Sequence, residues 1–228
     1  LPLLADKTAL KANNHVPYVV CRGRWPKDLL HISPIGNHLG LWRSPIKNLH
    51  RTLLAVPLLG LMAMPAFAQS ADMKSPEEMK DMEPDALRDG IENRHPSAYY
   101  ILAAKQFNAG ERDDAVFWFY TGQLRYRTLL GCNPDLAPDQ DPALFASLNE
   151  TVGRPLNGYA FGDVDELSST IEDVLEWDAA HANGYVAKAE CEQVITAERA
   201  GLDELREMIV AKADEIRKQR EENGLENR

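Results

Sequence analysis

One helix sets the terms for this chain. Between Asp113 and Leu130 lie Ala115, Phe119, Gly122, Tyr126 and Leu129 at 3.6-residue spacing. Phe117, Tyr120 and Leu124 point another way, and Val116 with Trp118 fills the remaining side. Four consecutive rings, Phe117-Trp118-Phe119-Tyr120, therefore make the amino-terminal half of the segment apolar nearly all round. A helix of that kind has to be covered by neighbours on every side. Burying each large ring contributes roughly 1.5–3 kcal/mol, so the chain must fold around this helix. The rings read as core rather than as the lining of a site. At the far end Gln123, Arg125 and Arg127 surround Tyr126, where they either line a groove or are solvated.

The neighbours are also helices. No stretch alternates apolar and polar residues between turn signals, so the predicted class is all-α. Ser75-Pro76-Glu77-Glu78 carries the signature of a helix start, and Pro84 breaks or restarts that helix. Spacing and stop signals predict helix A over 96–109, ended by Gly110, and helix B over 113–130, ended by Gly131. Helix C starts at Asp141-Pro142 and ends at Gly153. "RPLNGYAFG" reads as a loop, and Asn157, Tyr159 and Phe161 make it a candidate binding loop. Asp163, with Glu166 three residues on, caps helix D over 163–181. Helix E covers 187–223, and residues 219–228 are expected to fray. Its stripe Leu202, Leu205, Ile209, Ala213 and Ile216 fits either a short coiled-coil seam or an arm packed on the domain.

Within helices A and B, Tyr99, Leu102-Ala103, Phe107, Gly110, Ala115, Phe119 and Gly122 have the spacing of a tetratricopeptide-type repeat. About residues 96–122 resemble one unit of that family, with Gln106 and Arg112 standing where the family favours rings. The resemblance implies a helix-turn-helix hairpin inside a compact helical domain.

Charge divides the chain. Residues 1–68 carry eight basic and two acidic side chains, whereas 69–228 carry 17 and 33. Lys47, His50 and Arg51 precede "LLAVPLLGLMAMPAFA", a short apolar run closed by Ala66-Phe67-Ala68. That order predicts a signal peptide over 46–68 with cleavage after Ala68. It places the mature protein in a bacterial periplasm or outside the cell. Residues 1–45 read as upstream translation or a disordered basic leader. Residues 69–223 are expected to form a single helical domain.

An oxidising address gives Cys132 and Cys191 a meaning. The pair predicts one disulfide, with two buried free thiols as the alternative. The surplus of carboxylates argues against a nucleic-acid partner. No nucleophile elbow, zinc-protease motif or phosphate loop occurs, and the expectation is a non-enzyme without cofactor or metal. His95 and His181 read as structural or surface residues. Asp135, Asp139 and Asp141 lack calcium-loop spacing. Glu172, Glu176 and Asp178 are the carboxylates from which a glycosidase reading would draw its pair.

These observations fit an exported helical module that binds another protein. An inhibitor or immunity-type protein facing a basic partner is the concrete form, with Gln123, Arg125, Tyr126, Arg127, Asn157, Tyr159 and Phe161 as candidate contacts. An envelope scaffold oligomerising through 187–223 and a cell-wall hydrolase are the alternatives.

Overall fold

A computed structural model describes residues 76–186 and 191–228. The leader over 1–45, the signal peptide over 46–68 and the Ser75 cap lie outside the described residues, as does the start of helix E. The described residues contain helices and turns and no strand. The elements are α1 (Pro76–Lys80), α2 (Pro84–Arg88), a 3-10 turn (Ile91–Asn93), α3 (Ser97–Ala109), α4 (Arg112–Cys132) and α5 (Asp141–Leu148). A π-helical turn (Asn149–Gly153) leads into α6 (Arg154–Ala160), followed by α7 (Val164–Ala180), α8 (Glu192–Ala211) and α9 (Ala213–Glu222).

The ring-rich helix α4 is the axis of the molecule. Phe119 and Tyr120 are fully buried, and Trp118 is 8% exposed. Trp118 meets Trp177 of α7 edge-on at 5.6 Å, and Phe119 meets Tyr100 of α3 the same way at 5.5 Å. Such pairs add to the stability that burial alone supplies. Among the described residues a core cluster runs from Met79 to Ile216.

α3 reverses into α4 at Gly110, whose φ of 92° only glycine adopts without strain. The Glu111 amide donates to the Gln106 carbonyl at 3.0 Å and closes the helix end. A Cβ added to Gly122 would stand 2.8 Å from Tyr99 Cβ. Residues 99 and 122 are equidistant from the turn, so the two helices run antiparallel with backbones in close approach.

Two glycines expected to stop helices do something else. α4 continues through Gly131 to Cys132, and a Cβ on Gly131 would collide with Val194 of α8. At Gly153 the chain stays helical, and a Cβ there would lie 2.8 Å from the Phe119 ring. Both positions are small because a neighbour presses on them. The expected loop "RPLNGYAFG" is consequently helix α6, entered smoothly from the π turn with Pro155 in its first turn.

α7 is capped as expected: the Asp163 side chain accepts from the Glu166 amide at 3.1 Å. Helix E is two helices, α8 and α9, parted at Lys212. They run back along α7. Asp178 near one end of α7 pairs with Arg199, and Asp165 at the other pairs with Arg217. Leu202, Leu205, Ile209 and Ile216 are buried, so the stripe packs as an arm on the domain. Cys132 and Cys191 stand at disulfide distance, with Cα atoms 5.5 Å apart, and join the end of α4 to the start of α8.

The expectation of fraying over 219–228 is corrected. Gly224 takes a left-handed φ of 71°, and the Leu225 amide donates to the Arg220 carbonyl at 2.8 Å. The chain turns back, and the Arg228 amide donates to the Gly162 carbonyl at 2.7 Å.

Candidate functional site

The candidate contacts of helix B turn inward. Gln123 is buried and donates to Asn149 Oδ1 at 2.7 Å, an acceptor shared with the Tyr100 hydroxyl at 3.2 Å. The π turn presents that asparagine. The fully buried Tyr126 donates its hydroxyl to Asp141 Oδ1 at 2.7 Å. Arg127 lies over the Phe145 ring at 5.8 Å and faces Glu198, whose carboxyl burial raises above its usual range while Arg127 opposes the rise. Arg125 is the largest departure from a groove or solvated residue. It is 2% exposed, its Nε is 2.5 Å from Asp178 Oδ1, and its Nη2 donates to the His181 carbonyl at 2.7 Å. The N–H of Nε is not aimed along the short contact, which makes that contact an ion pair rather than a directed hydrogen bond.

The second group separates likewise. Asn157 accepts from the Tyr120 hydroxyl at 3.0 Å, and Phe161 is buried. Tyr159 alone keeps a half-exposed ring. It contacts Asp113, 13 residues before Tyr126 on α4, or about 20 Å at 1.5 Å per residue. Tyr159 and Tyr126 thus stand at opposite ends of α4, while Asn157 meets the helix at Tyr120, between them.

A constellation that the sequence left scattered gathers where α3 and α5 begin. His95 Nδ1 is 2.8 Å from Ser97 Oγ, and Nε2 is 2.9 Å from Asp141 Oδ1. The Ser97 amide also donates to Nδ1, at 3.2 Å, so Nδ1 is the acceptor and the proton sits on Nε2, facing Asp141. Tyr126 and Tyr185 pack edge-on against the imidazole at 5.4 and 5.1 Å. Burial lowers the His95 pKa below 6.5, and Asp141 only partly offsets this. Hydroxyl, imidazole and carboxylate stand in the order of a nucleophilic triad. Access decides against that use. Ser97 is 1% exposed, and the nearby amides of Ala98 and Tyr99 already donate to the carbonyls of His95 and Pro96. Neither of these two amides is free to serve a developing oxyanion. The cluster ties the start of α3 to the start of α5.

The surface differs from one helix to the next. Exposed positions of α7 include Asp165, Glu166, Glu172, Asp173 and Glu176, and the helix holds no basic residue. Asp165 pairs with Arg217 at 3.0 Å, while the other four have no ion-pair partner among the described residues. On α8 and α9 the charges alternate and pair internally, as in Arg206–Asp203 and Arg217–Asp214. Glu172 and Glu176 sit one turn apart on the open face of α7.

No family model and no solved structure matches the chain. A protein of Haemophilus influenzae, described as uncharacterized, is 32% identical over 120 residues. The match takes in 53% of this chain and 47% of the relative, so the chain spans about half the length of that relative. Among the described residues no helix is long and apolar enough to cross a membrane.

Proposed function

We propose that this chain is an exported helical binding protein whose partner is a basic protein, in the manner of an inhibitor or immunity-type protein. One observation carries the reading: the charged side chains on the exposed face of α7 are all carboxylates, and four of them make no close ion pair among the described residues. Such a face speeds capture of a cationic partner and discriminates against acidic ones. The disulfide pair is compatible with an exported address. The repeat-like α3–α4 hairpin serves in this reading as the rigid support behind the face. Oligomerisation through α8 and α9 is the weaker reading, because their apolar stripe is spent on the domain itself.

The test compares the chain with a Glu172→Gln/Asp173→Asn/Glu176→Gln variant for capture of basic proteins from periplasmic extract. Circular dichroism checks the fold of the variant. The partner's association rate is expected to fall at least tenfold between low salt and about 0.5 M salt, and to fall similarly in the variant at low salt. An association rate indifferent to salt, or an equal rate in the variant, refutes the reading.

A further inference from the structure

At the opposite end of α4 from His95, a second built arrangement surrounds Tyr159. The Arg228 guanidinium lies over the Tyr159 ring, 3.6 Å from its centroid. Arg228 Nη1 donates to the Tyr159 hydroxyl at 2.6 Å, and Nη2 donates to the Tyr159 carbonyl at 3.3 Å. The hydroxyl in turn donates to Asp113 Oδ1 at 2.8 Å, so a carboxylate stands behind the phenol that receives the cation. The Arg228 amide reaches the Gly162 carbonyl. The planar cation is thus read by one ring face and two oxygens of the same tyrosine, while the Gly162 carbonyl holds the Arg228 backbone. This is the geometry that distinguishes guanidinium from ammonium.

The cradle is built without the segment that fills it. Asp113, in the first turn of α4, fixes the Tyr159 hydroxyl. The turn between α6 and α7 is held by its own bonds, Gly162 to Tyr159 at 2.9 Å and Asp163 to Ala160 at 3.2 Å. A Cβ at Gly162 would come within 2.9 Å of the Tyr159 carbonyl oxygen and 3.2 Å of both Arg220 Nη2 and Arg228 Nε. Arg228 itself is exposed, so it can leave and re-enter without disturbing the core. Asp113 is the carboxylate placed against the Tyr159 hydroxyl, and the Arg112 guanidinium lies 5.4 Å from the centroid of the same ring.

We propose that the Tyr159–Asp113–Gly162 cradle is a recognition site for an arginine side chain of a protein partner, occupied in the resting chain by Arg228. The site lies away from the α7 midpoint face and does not rest on the reading given above. Arg228 competes from within at an effective concentration in the millimolar range, so the site opens to a partner that supplies a better-held arginine.

The experiment uses an acetylated, amidated peptide of sequence NGLENR, fluorescently labelled, and the full chain carrying Arg228→Ala. Anisotropy is expected to show at least tenfold tighter binding to the variant than to the unchanged chain. Replacing arginine by lysine in the peptide is expected to weaken binding at least tenfold. Tyr159→Phe added to the variant keeps the ring, removes the hydroxyl relay and weakens binding; Asp113→Asn does the same without touching the tyrosine. Equal affinity for both chains, no binding to the variant, or a lysine peptide as good as the arginine peptide overturns the proposal. Sedimentation of the unchanged chain as a dimer that Arg228→Ala dissolves also overturns it, because the occupant is then a second copy.

Discussion

Asp178→Asn is the most informative single change in the core. Asp178 lies in the last turn of α7, where the helix dipole disfavours a carboxylate. Two guanidiniums offset that placement. Arg125 Nε and Arg199 Nε are each 2.5 Å from a separate carboxylate oxygen, and Arg199 Nη2 donates to the Asp178 carbonyl at 2.7 Å. Side-chain exposure is 2% for Arg125, 5% for Asp178 and 35% for Arg199. Neutralising Asp178 leaves Arg125 charged, buried and without a counterion, which costs about 3–5 kcal/mol. With a urea dependence of about 2 kcal/mol per molar, the midpoint drops by about 2 M. Arg199→Ala leaves the inner pair intact and removes a partner that water reaches, so its cost is about 1 kcal/mol. Arg125→Met with Asp178→Leu removes both inner charges and is expected to be less destabilising than Asp178→Asn alone. Urea melts followed by circular dichroism and by tryptophan fluorescence measure all three; Trp177 lies 5.3 Å from the Arg125 guanidinium and reports locally. An Asp178→Asn midpoint within about 0.5 M of the unchanged chain, or an Arg199→Ala cost equal to that of Asp178→Asn, refutes the assignment of Arg125 as the dominant buried charge.

Two further outcomes are expected. The folded state holds His95 neutral with a lowered pKa, while the unfolded chain takes up a proton near pH 6.5. The contribution is therefore fully present above 6.5 and is lost as pH falls through 6.5 toward the folded pKa, with a slope of at most about 1.4 kcal/mol per pH unit. His95→Gln is expected to flatten that part of the stability–pH curve, and an unchanged slope refutes it. Replacing Cys132 and Cys191 by serine opens a loop between residues 59 apart. That change is expected to cost about 4 kcal/mol in the chain-entropy model, read as a lowered urea midpoint under oxidising conditions. A midpoint equal to that of the unchanged oxidised chain refutes it.

Glycine and polar residues divide what was legible from what was not. Gly110 is a local device, and its left-handed φ could be read from the sequence around it. Gly131 and Gly153 look the same in sequence but answer to Val194 and Phe119, residues remote in the chain. Arg125 was legible as polar, whereas its carboxylate partner on α7 was not, because no periodicity marks a pair 53 residues apart. His95 and Asp141, 46 apart, are hidden in the same way.

By itself, the sequence determined the helical class, the axis on which the rings are buried, the Asp163 cap and the two cysteines able to pair. Each of these follows from local spacing or from solvent exclusion, which act within one or two helical turns or on side-chain type alone. Only the tertiary structure decided that Arg125 is an internal ion, that the α8–α9 stripe is consumed by the domain, and that Arg228 returns to Tyr159. Those outcomes depend on which surfaces meet when helices pack, and contact between distant segments is a property of the assembled body rather than of any stretch of chain.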